Sequence, residues 1–306
     1  MNDYQTQTPV LLIFFNRPDH LIKTFDRVRR ARPKKLYLAQ DGARPGHPED
    51  VEGIRACREI VSHVDWECEV SERYCDQNHG CGQGPYQAIS WVFDQEETAI
   101  ILEDDCVADI SFFPFCDQLL EKYKEDTRIG MITGLNHFTT WECGDQSYFF
   151  AKTGANWGWA SWKRVWKTYD YSFEAAGCEP LLHKLEDTFI NKRIAKDTIR
   201  CWKRSKRLLE QNQKISYWDY QFEANKYLYH WMAIVPQKNL ISNIGVGNDS
   251  THNLVKAPYN NLPTFEMGEI KHPKYIIQDI GYDKKYYKRA CPPFPVKVIN
   301  KLKSMV

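Results

Sequence analysis

Residues 98–106 constrain the fold of this chain more than any other stretch. The first five, 98–102, are apolar or β-branched, and they run directly into Glu103, Asp104 and Asp105. An apolar run without polar alternation predicts a strand that is buried on both faces, as in a parallel sheet. The sequence therefore predicts an α/β protein with three acids at the end of a central strand.

Three adjacent carboxylates repel one another unless a cation neutralises them. Hard divalent metals prefer such oxygen ligands, and an ion that keeps open coordination positions can also bind a diphosphate. A metal site and a solvated acidic turn are both compatible with the pattern, and we favour the metal site. By position, Asp105 is the candidate metal ligand, and Asp104 and Glu103 are candidates for binding ribose or sugar hydroxyls.

The first hundred residues alternate between predicted strands and predicted helices. Apolar runs predict strands at 10–15, 36–40 and 66–71, and the intervening segments predict helices near 19–30, 49–61 and 86–93. This order predicts a doubly wound, mostly parallel sheet flanked by helices, with ligands at the carboxyl ends of the strands.

Distinctive loops follow the predicted strands. Arg17 follows the first strand and is suited to bidentate pairing with a diphosphate, although an exposed arginine is the alternative. Asp41 follows the second, where it could accept from a base N–H or a ribose hydroxyl, or form a turn before Gly42. These loops should meet along one crevice.

The loop predicted at 78–85 contains three glycines in a GxGxG pattern. Pro85 stands where a dinucleotide fingerprint has its last glycine, and the loop follows the third strand rather than the first. We therefore interpret the loop, with Gly82 at its centre, as one that lets the backbone approach a nucleotide.

The second half of the chain predicts further elements and two further site candidates. Helices are expected at 112–123, 155–168 and 180–213, and a further helix follows residues 216–219 and ends near residue 230. Strands are expected at 129–133, 147–151, 232–236 and 240–244. Asp219, next to Trp218, could take a proton from an acceptor hydroxyl or simply begin a helix. His252 could reach a metal or a phosphate, or be an exposed loop histidine.

Charge and cysteine usage exclude some functions. A net charge of +1 argues against nucleic-acid binding. Cys68, Cys75 and Cys81 are the closest of the 10 cysteines, but their spacing fits no common zinc pattern.

No signal peptide is visible, so we expect a cytoplasmic protein. The basic stretches at 192–207 and from 284 onward suggest peripheral contact with anionic lipid, or solvated faces.

The motifs together resemble the GT-A nucleotide-sugar glycosyltransferases. The likeness is greatest to the branch that includes N-acetylglucosaminyltransferase I of the Golgi N-glycan pathway and its bacterial relatives. The matching segments are Pro9–Ile13 with Asn16-Arg17, Arg32-Pro33, Gln40-Asp41, Glu103-Asp104-Asp105, Trp157-Gly158-Trp159 and Trp218-Asp219. The resemblance covers roughly residues 9 to 255. Tyr220 stands where the family has a second acid after its tryptophan.

The resemblance implies an inverting transferase that uses Mn²⁺ (or Mg²⁺) and a nucleoside-diphosphate sugar, usually a UDP-sugar. By position, Arg17 would contact the diphosphate, Asp41 the uracil and Asp105 the metal. Asp219 would be the catalytic base, and Trp159 would lie with the sugar-binding residues. The acceptor would be a glycan or a lipid-linked sugar of bacterial surface polysaccharide.

Under this interpretation the chain has three parts. Residues 1–135 would form the nucleotide-sugar-binding α/β half, 136–255 a smaller helical and mixed acceptor-binding half of the same domain, and 256–306 a basic tail. The alternatives are a sugar-nucleotide pyrophosphorylase and a non-catalytic carbohydrate-binding protein of the same fold. A pyrophosphorylase needs a glycine-rich basic loop after the first strand, and residues 15–18 contain no glycine.

Overall fold

A computed structural model describes residues 4–245 and 259–290 of the chain. Its strands are β1 (Val10–Phe14), β2 (Lys35–Gln40), β3 (Glu69–Tyr74), β4 (Thr98–Glu103), β5 (Cys106–Ala108), β6 (Ile129–Thr133), β7 (Tyr148–Ala151), β8 (Trp159–Trp162), β9 (Met232–Pro236) and β10 (Ile241–Asn243). Its helices are α1 (Pro18–Ala31), α2 (Glu49–Val61), α3 (Gly80–Gln95), α4 (Phe112–Lys122), α5 (Lys163–Trp166), α6 (Glu179–Leu185), α7 (Lys192–Glu210), α8 (Asp219–Leu228) and α9 (Ile280–Ala290).

Eight strands form one sheet in the order β3-β2-β1-β4-β8-β6-β9-β7, and β10 pairs with β5 in a second, two-stranded sheet. The first four strands of the large sheet are parallel. Beyond them β8 and β7 are antiparallel to their neighbours, while β6 and β9 are parallel to each other. The predicted α/β class, with a mixed and mostly parallel central sheet flanked by helices, is confirmed.

The core follows from the apolar runs. β4 is buried from Ala99 to Leu102 and β6 over its whole length, as expected for strands covered on both faces. This main core continues from β1 to Tyr282 in α9. A smaller core lies among α6, α7 and α8, where Phe189 stacks on Tyr227 with ring centroids 4.0 Å apart.

Some segments differ from their predicted structure. The helix predicted at 180–213 is divided into α6 and α7, which residues 186–191 separate. The predicted loop at 78–85 mostly belongs to α3, which begins at Gly80 and contains Pro85. The segment predicted as a helix at 155–168 contains the strand β8 and then the short helix α5. β8 forms because Trp159 pairs with Ile101 on one side and Thr133 on the other. Two long-range ladders override the local helical pattern there.

Candidate active site

The carboxyl ends of the parallel strands form one edge of the sheet. β1, β2, β3 and β4 all end there, and the antiparallel β8 begins there. The residues that follow these strand ends, 15–17, 41–42, 75–82 and 103–105, define what we call the carboxyl-edge crevice. Every strand-end loop that the sequence singled out lies along it, as this architecture requires.

Arg17 is the cation that holds the acidic cluster together. Its Nε donates to Asp104 Oδ2 at 3.3 Å and its second guanidinium nitrogen bonds Asp104 Oδ1. The same nitrogen donates to Asp105 Oδ2 at 3.0 Å. The side chains of Asp104 and Asp105 are only 4% and 11% exposed, so their charges would be costly without this fork. In this structure the guanidinium of Arg17 neutralises these two carboxylates, and the divalent ion that the sequence predicted at Asp105 stays a prediction.

A second layer of contacts positions Asp105. Asn243 donates from Nδ2 to Asp105 Oδ1 at 2.9 Å, and the backbone N–H of Ile244 donates to Asp105 O at 2.9 Å. Gly245 lies so close that a Cβ there would be 2.0 Å from Asp105 Oδ2. The pairing of β10 with β5 creates these contacts.

The electrostatics of the cluster follow from burial. Burial raises the pKa of Glu103 well above its usual value, and the charges of Asp105 and Asp104 raise it further. Burial also raises the pKa of Asp104, while Arg17 opposes the rise. Burial alone would lower the pKa of Arg17, but attraction to Asp104 and then Asp105 outweighs it, so the net shift is upward.

Asp105 offers a carboxylate ligand to a hard divalent ion, but other side chains already bind that carboxylate. A single carboxylate can be enough, because Mg²⁺-type ions often use one or two carboxylates together with substrate phosphates. Both carboxylate oxygens of Asp105 already have partners, Arg17 on one and Asn243 on the other. Each oxygen keeps a second lone pair, but an ion bound there would lie close to the positive charge of Arg17. His252, the predicted second ligand, lies outside the described residues.

Asp41 lies at the crevice, where three backbone N–H groups donate to its carboxylate. It accepts from the N–H groups of Gly42 (3.0 Å), His79 (2.8 Å to Oδ1) and Gly80 (2.8 Å), and the last two precede and begin α3. Its carboxylate thus stabilises the N-terminus of that helix, where a negative charge is favoured.

Gly82 is buried in α3 and contacts protein rather than an open groove. A Cβ there would be 2.1 Å from the carbonyl oxygen of Ile215. The glycine thus allows the segment before α8 to cross α3 closely, and the interpretation as a nucleotide-facing loop is replaced by this packing role.

Asp219 begins α8 next to Trp218, which packs on Trp159. Asp219 is the first residue of that helix and is partly exposed. Trp218, just before it, stacks on Trp159 with ring centroids 5.8 Å apart. Trp159 is 0% exposed and also packs on Phe222, so it belongs to the core rather than to a sugar-binding surface. The stack nevertheless places the N-terminus of α8 beside β8 at the carboxyl edge.

A second aromatic group next to α8 was not anticipated from the sequence. Tyr86 stacks on Tyr169 and Tyr171 at 5.2 and 4.6 Å, and Tyr169 donates its hydroxyl to Trp218 O at 2.8 Å. Burial raises the pKa of Tyr169, with the neighbouring Tyr171 and Asp219 raising it further. The only available sequence signal was the tyrosine pair at 169 and 171.

The basic helix α7 is partly neutralised. Five of its basic residues form ion pairs: Lys192 with Asp187 (3.4 Å), Arg193 with Asp197 (3.9 Å), Arg200 with Asp197 (3.1 Å), Lys203 with Glu179 (2.6 Å) and Lys206 with Glu210 (3.6 Å). These pairs reduce the positive charge that α7 could offer to lipid head groups. Within residues 4–245 and 259–290, no helix is both long and apolar enough to cross a membrane.

Comparison with known proteins gives only distant structural likenesses. No protein-family model matches the sequence, and no curated protein matches it. A UDP-glucose pyrophosphorylase complexed with UDP-glucose aligns with TM-score 0.32 and 8% identity, over 53% of this chain and 78% of that chain. Residues 1–349 of TarS from S. aureus align with TM-score 0.33 and 9% identity, over 53% of this chain and 48% of that one. This chain thus covers about half of the TarS fragment. With likenesses this distant, a functional assignment has to rest on the residues of the crevice themselves.

Proposed function

We propose that the chain is a metal-dependent, inverting glycosyltransferase. It would transfer a sugar from a nucleoside-diphosphate sugar, of the UDP class, to a hydroxyl of a glycan or lipid-linked acceptor. The observation that supports this best is the Arg17–Asp104–Asp105 cluster at the carboxyl edge. It combines a phosphate-binding guanidinium and a buried oxygen ligand at the place where an α/β sheet binds its ligands.

The charged residues at the ends of β1 and β4 each have a role under this proposal. Asp105, with His252 as the candidate second ligand, would hold a Mn²⁺ or Mg²⁺ ion, which would neutralise the charge of the departing diphosphate. Arg17 would bind the diphosphate through its fork, since guanidinium groups match phosphate oxygens. Asp104 would keep Arg17 oriented, and Glu103 would accept from a sugar or ribose hydroxyl.

Asp219 would act as the base on the acceptor side. The acceptor oxygen attacks the anomeric carbon of the donor sugar, and the bond from that carbon to the diphosphate oxygen breaks. The hydroxyl proton passes to the carboxylate of Asp219, and the nucleoside diphosphate leaves with the bonding electrons. Attack from the face opposite the leaving group inverts the anomeric centre.

One structural detail favours transfer over pyrophosphorylase chemistry. β1 ends at Phe14 and α1 begins at Pro18, so only residues 15–17 connect them, and none of these is glycine. This short connection lacks the glycine-rich loop that the pyrophosphorylase alternative needs. A non-catalytic sugar-binding protein would bind the nucleotide sugar without releasing UDP, so the release of UDP distinguishes it from a transferase.

The test combines ligand-induced stabilisation with product release. UDP with Mn²⁺ at 100 times Kd should stabilise the wild type by about 2.7 kcal/mol. Asp105→Asn should lose this stabilisation, whereas Asp219→Asn should keep it and lose metal-dependent UDP release in a screen of UDP-sugars with candidate acceptors. Asp94→Asn, at an exposed position outside the crevice, is the matched control and should behave like the wild type. No stabilisation of the wild type by UDP and Mn²⁺ would refute the proposal, and stabilisation without turnover would support the non-catalytic alternative.

A further inference from the structure

A second group of metal-ligand side chains lies at the far end of the carboxyl-edge crevice. Donor atoms of Asp41, Cys75 and His79 all lie within 4.8 Å of one another. The three residues follow the ends of β2 and β3 and precede α3, and each is partly exposed. Among the described residues this is the one cluster of three His, Cys, Asp or Glu side chains that converge in this way.

Backbone contacts hold the two loops of this cluster together. Cys75 N donates to Gln40 O at 2.9 Å, which extends the β2–β3 ladder by one residue. Gly42 N donates to Gln77 O at 3.3 Å, and Asn78 Nδ2 donates to Gly42 O at 2.8 Å. A Cβ on Gly42 would lie 2.7 Å from the backbone at residues 76 and 77, so only glycine allows this approach. The ligand-bearing loops are therefore positioned before any ion binds.

We propose that Asp41, Cys75 and His79 form a zinc site. A thiolate, an imidazole and a carboxylate together suit Zn²⁺, which binds sulfur, nitrogen and oxygen, better than Mg²⁺ or Mn²⁺, which prefer oxygen alone. Zinc bonds of about 2.0–2.3 Å put tetrahedral ligand atoms about 3.3–3.8 Å apart. Zinc binding would draw the three donor atoms, which now lie within 4.8 Å of one another, closer by at most about 1.5 Å.

The site has three protein ligands and an open fourth position. Three ligands plus a water or substrate atom is the pattern of zinc sites that exchange a ligand, whereas closed structural sites use four. When zinc binds, a sulfur–zinc bond forms and the Cys75 thiol releases its proton to solvent. The Asp41 carboxylate also compensates the positive end of the α3 dipole, which would otherwise repel a cation.

This zinc site differs from the proposed divalent-ion site in both place and chemistry. Asp105 follows β4 and offers a carboxylate held by Arg17 and Asn243, whereas Cys75 follows β3 and supplies sulfur. The two proposals are therefore independent, and either can fail without the other.

The experiment measures zinc and cobalt binding to the full-length, reduced protein. The wild type stripped of metal should bind one Zn²⁺ per chain at this site, and Co²⁺ in its place should give the near-ultraviolet thiolate-to-cobalt charge-transfer band. Cys75→Ser and His79→Gln should each weaken zinc binding by more than about 100-fold, since even second-shell changes typically cost 10–100-fold. Their melting temperatures in metal-free buffer show whether they fold.

Two matched controls make the result specific. Cys68→Ser removes another partly exposed thiol outside the cluster and should leave the cobalt band intact. Asp105→Asn should lose stabilisation by UDP and Mn²⁺ while it keeps the zinc. If folded Cys75→Ser binds zinc as tightly as the wild type, or the wild type binds none, the zinc site is refuted whatever the outcome at Asp105.

Discussion

The Arg17 fork allows a quantitative prediction about stability. Replacing Arg17 with Met keeps most of the side-chain volume but leaves Asp104 and Asp105 without their cation. Removing one partner of a buried ion pair costs about 3–5 kcal/mol, because the other charge stays buried and unpaired. Arg17 is itself 22% exposed, so water can replace part of the interaction. We expect Arg17→Met to lower the free energy of unfolding by about 3 kcal/mol near neutral or mildly alkaline pH.

The loss should depend on pH with a defined sign. Burial raises the pKa of Asp104 in the folded protein, and Arg17 opposes that rise. Without Arg17 the folded-state pKa rises further above the value in the unfolded chain. A carboxyl group with a raised folded-state pKa stabilises the fold while it is protonated, and this stabilisation is lost as the pH rises. The variant should therefore lose less relative to the wild type at about pH 5 than at about pH 8.

Urea unfolding followed by tryptophan fluorescence measures both effects. The double variant Arg17→Met/Asp104→Asn should recover part of the lost stability at about pH 8, because it removes a buried charge that Arg17 no longer pairs. Arg29→Met is the matched control: Arg29 also forms a fork, with Asp65, but both side chains are about half exposed. It should cause no measurable loss. An equal loss at both pH values, together with no recovery in the double variant, would show that Arg17 is not the neutralising cation.

Two further predictions concern packing and titration. Gly82→Ala should destabilise by about 1–3 kcal/mol, because its Cβ would meet the Ile215 carbonyl, whereas Gly268→Ala has open space and should be near neutral in the same urea assay. Burial lowers the pKa of His137 to about 3. Below the ordinary histidine pKa of about 6.5, the unfolded chain binds a proton at His137 and the folded protein does not. The free energy of unfolding should therefore fall by up to about 1.4 kcal/mol per pH unit as the pH is lowered, and the fall should be less steep in His137→Gln. Equal slopes for the two proteins would contradict the neutral, buried histidine.

The parts of the fold that could be predicted from the sequence are those with local causes. β4, β6 and β9 are short apolar runs bounded by polar residues, and the structure has them close to the predicted bounds. The placement of strand-end residues along one edge followed from the parallel topology alone. These inferences needed no knowledge of which side chains touch.

What could not be predicted depends on contacts between distant residues. Asn243 bonds Asp105 across 138 positions, and the only sequence signal was one amide in a short apolar run. Asp41 caps a helix that begins 39 residues later, and the local Asp-Gly pattern, which suggested a nucleotide contact or a turn, gave no sign of this cap. The zinc-type cluster was missed for the same reason, since Cys75 and His79 obtain their third ligand from another strand end.

Under the proposed function, a divalent ion and the nucleotide should bind to the crevice together. In the free protein the positive guanidinium of Arg17 donates to Asp105 Oδ2 and would repel an ion bound there, and Asp104 holds that guanidinium in place. A diphosphate offers Arg17 alternative oxygen partners and brings negative charge that an ion can share. Under the proposed function, Mn²⁺ should therefore bind much more tightly in the presence of UDP than alone, and by thermodynamic reciprocity UDP should gain the same factor from Mn²⁺. No hydrogen bond from an arginine to Asp41, Cys75 or His79 is among the contacts described, so the proposed zinc site should bind its ion without nucleotide, and this coupling distinguishes the two ends of the crevice.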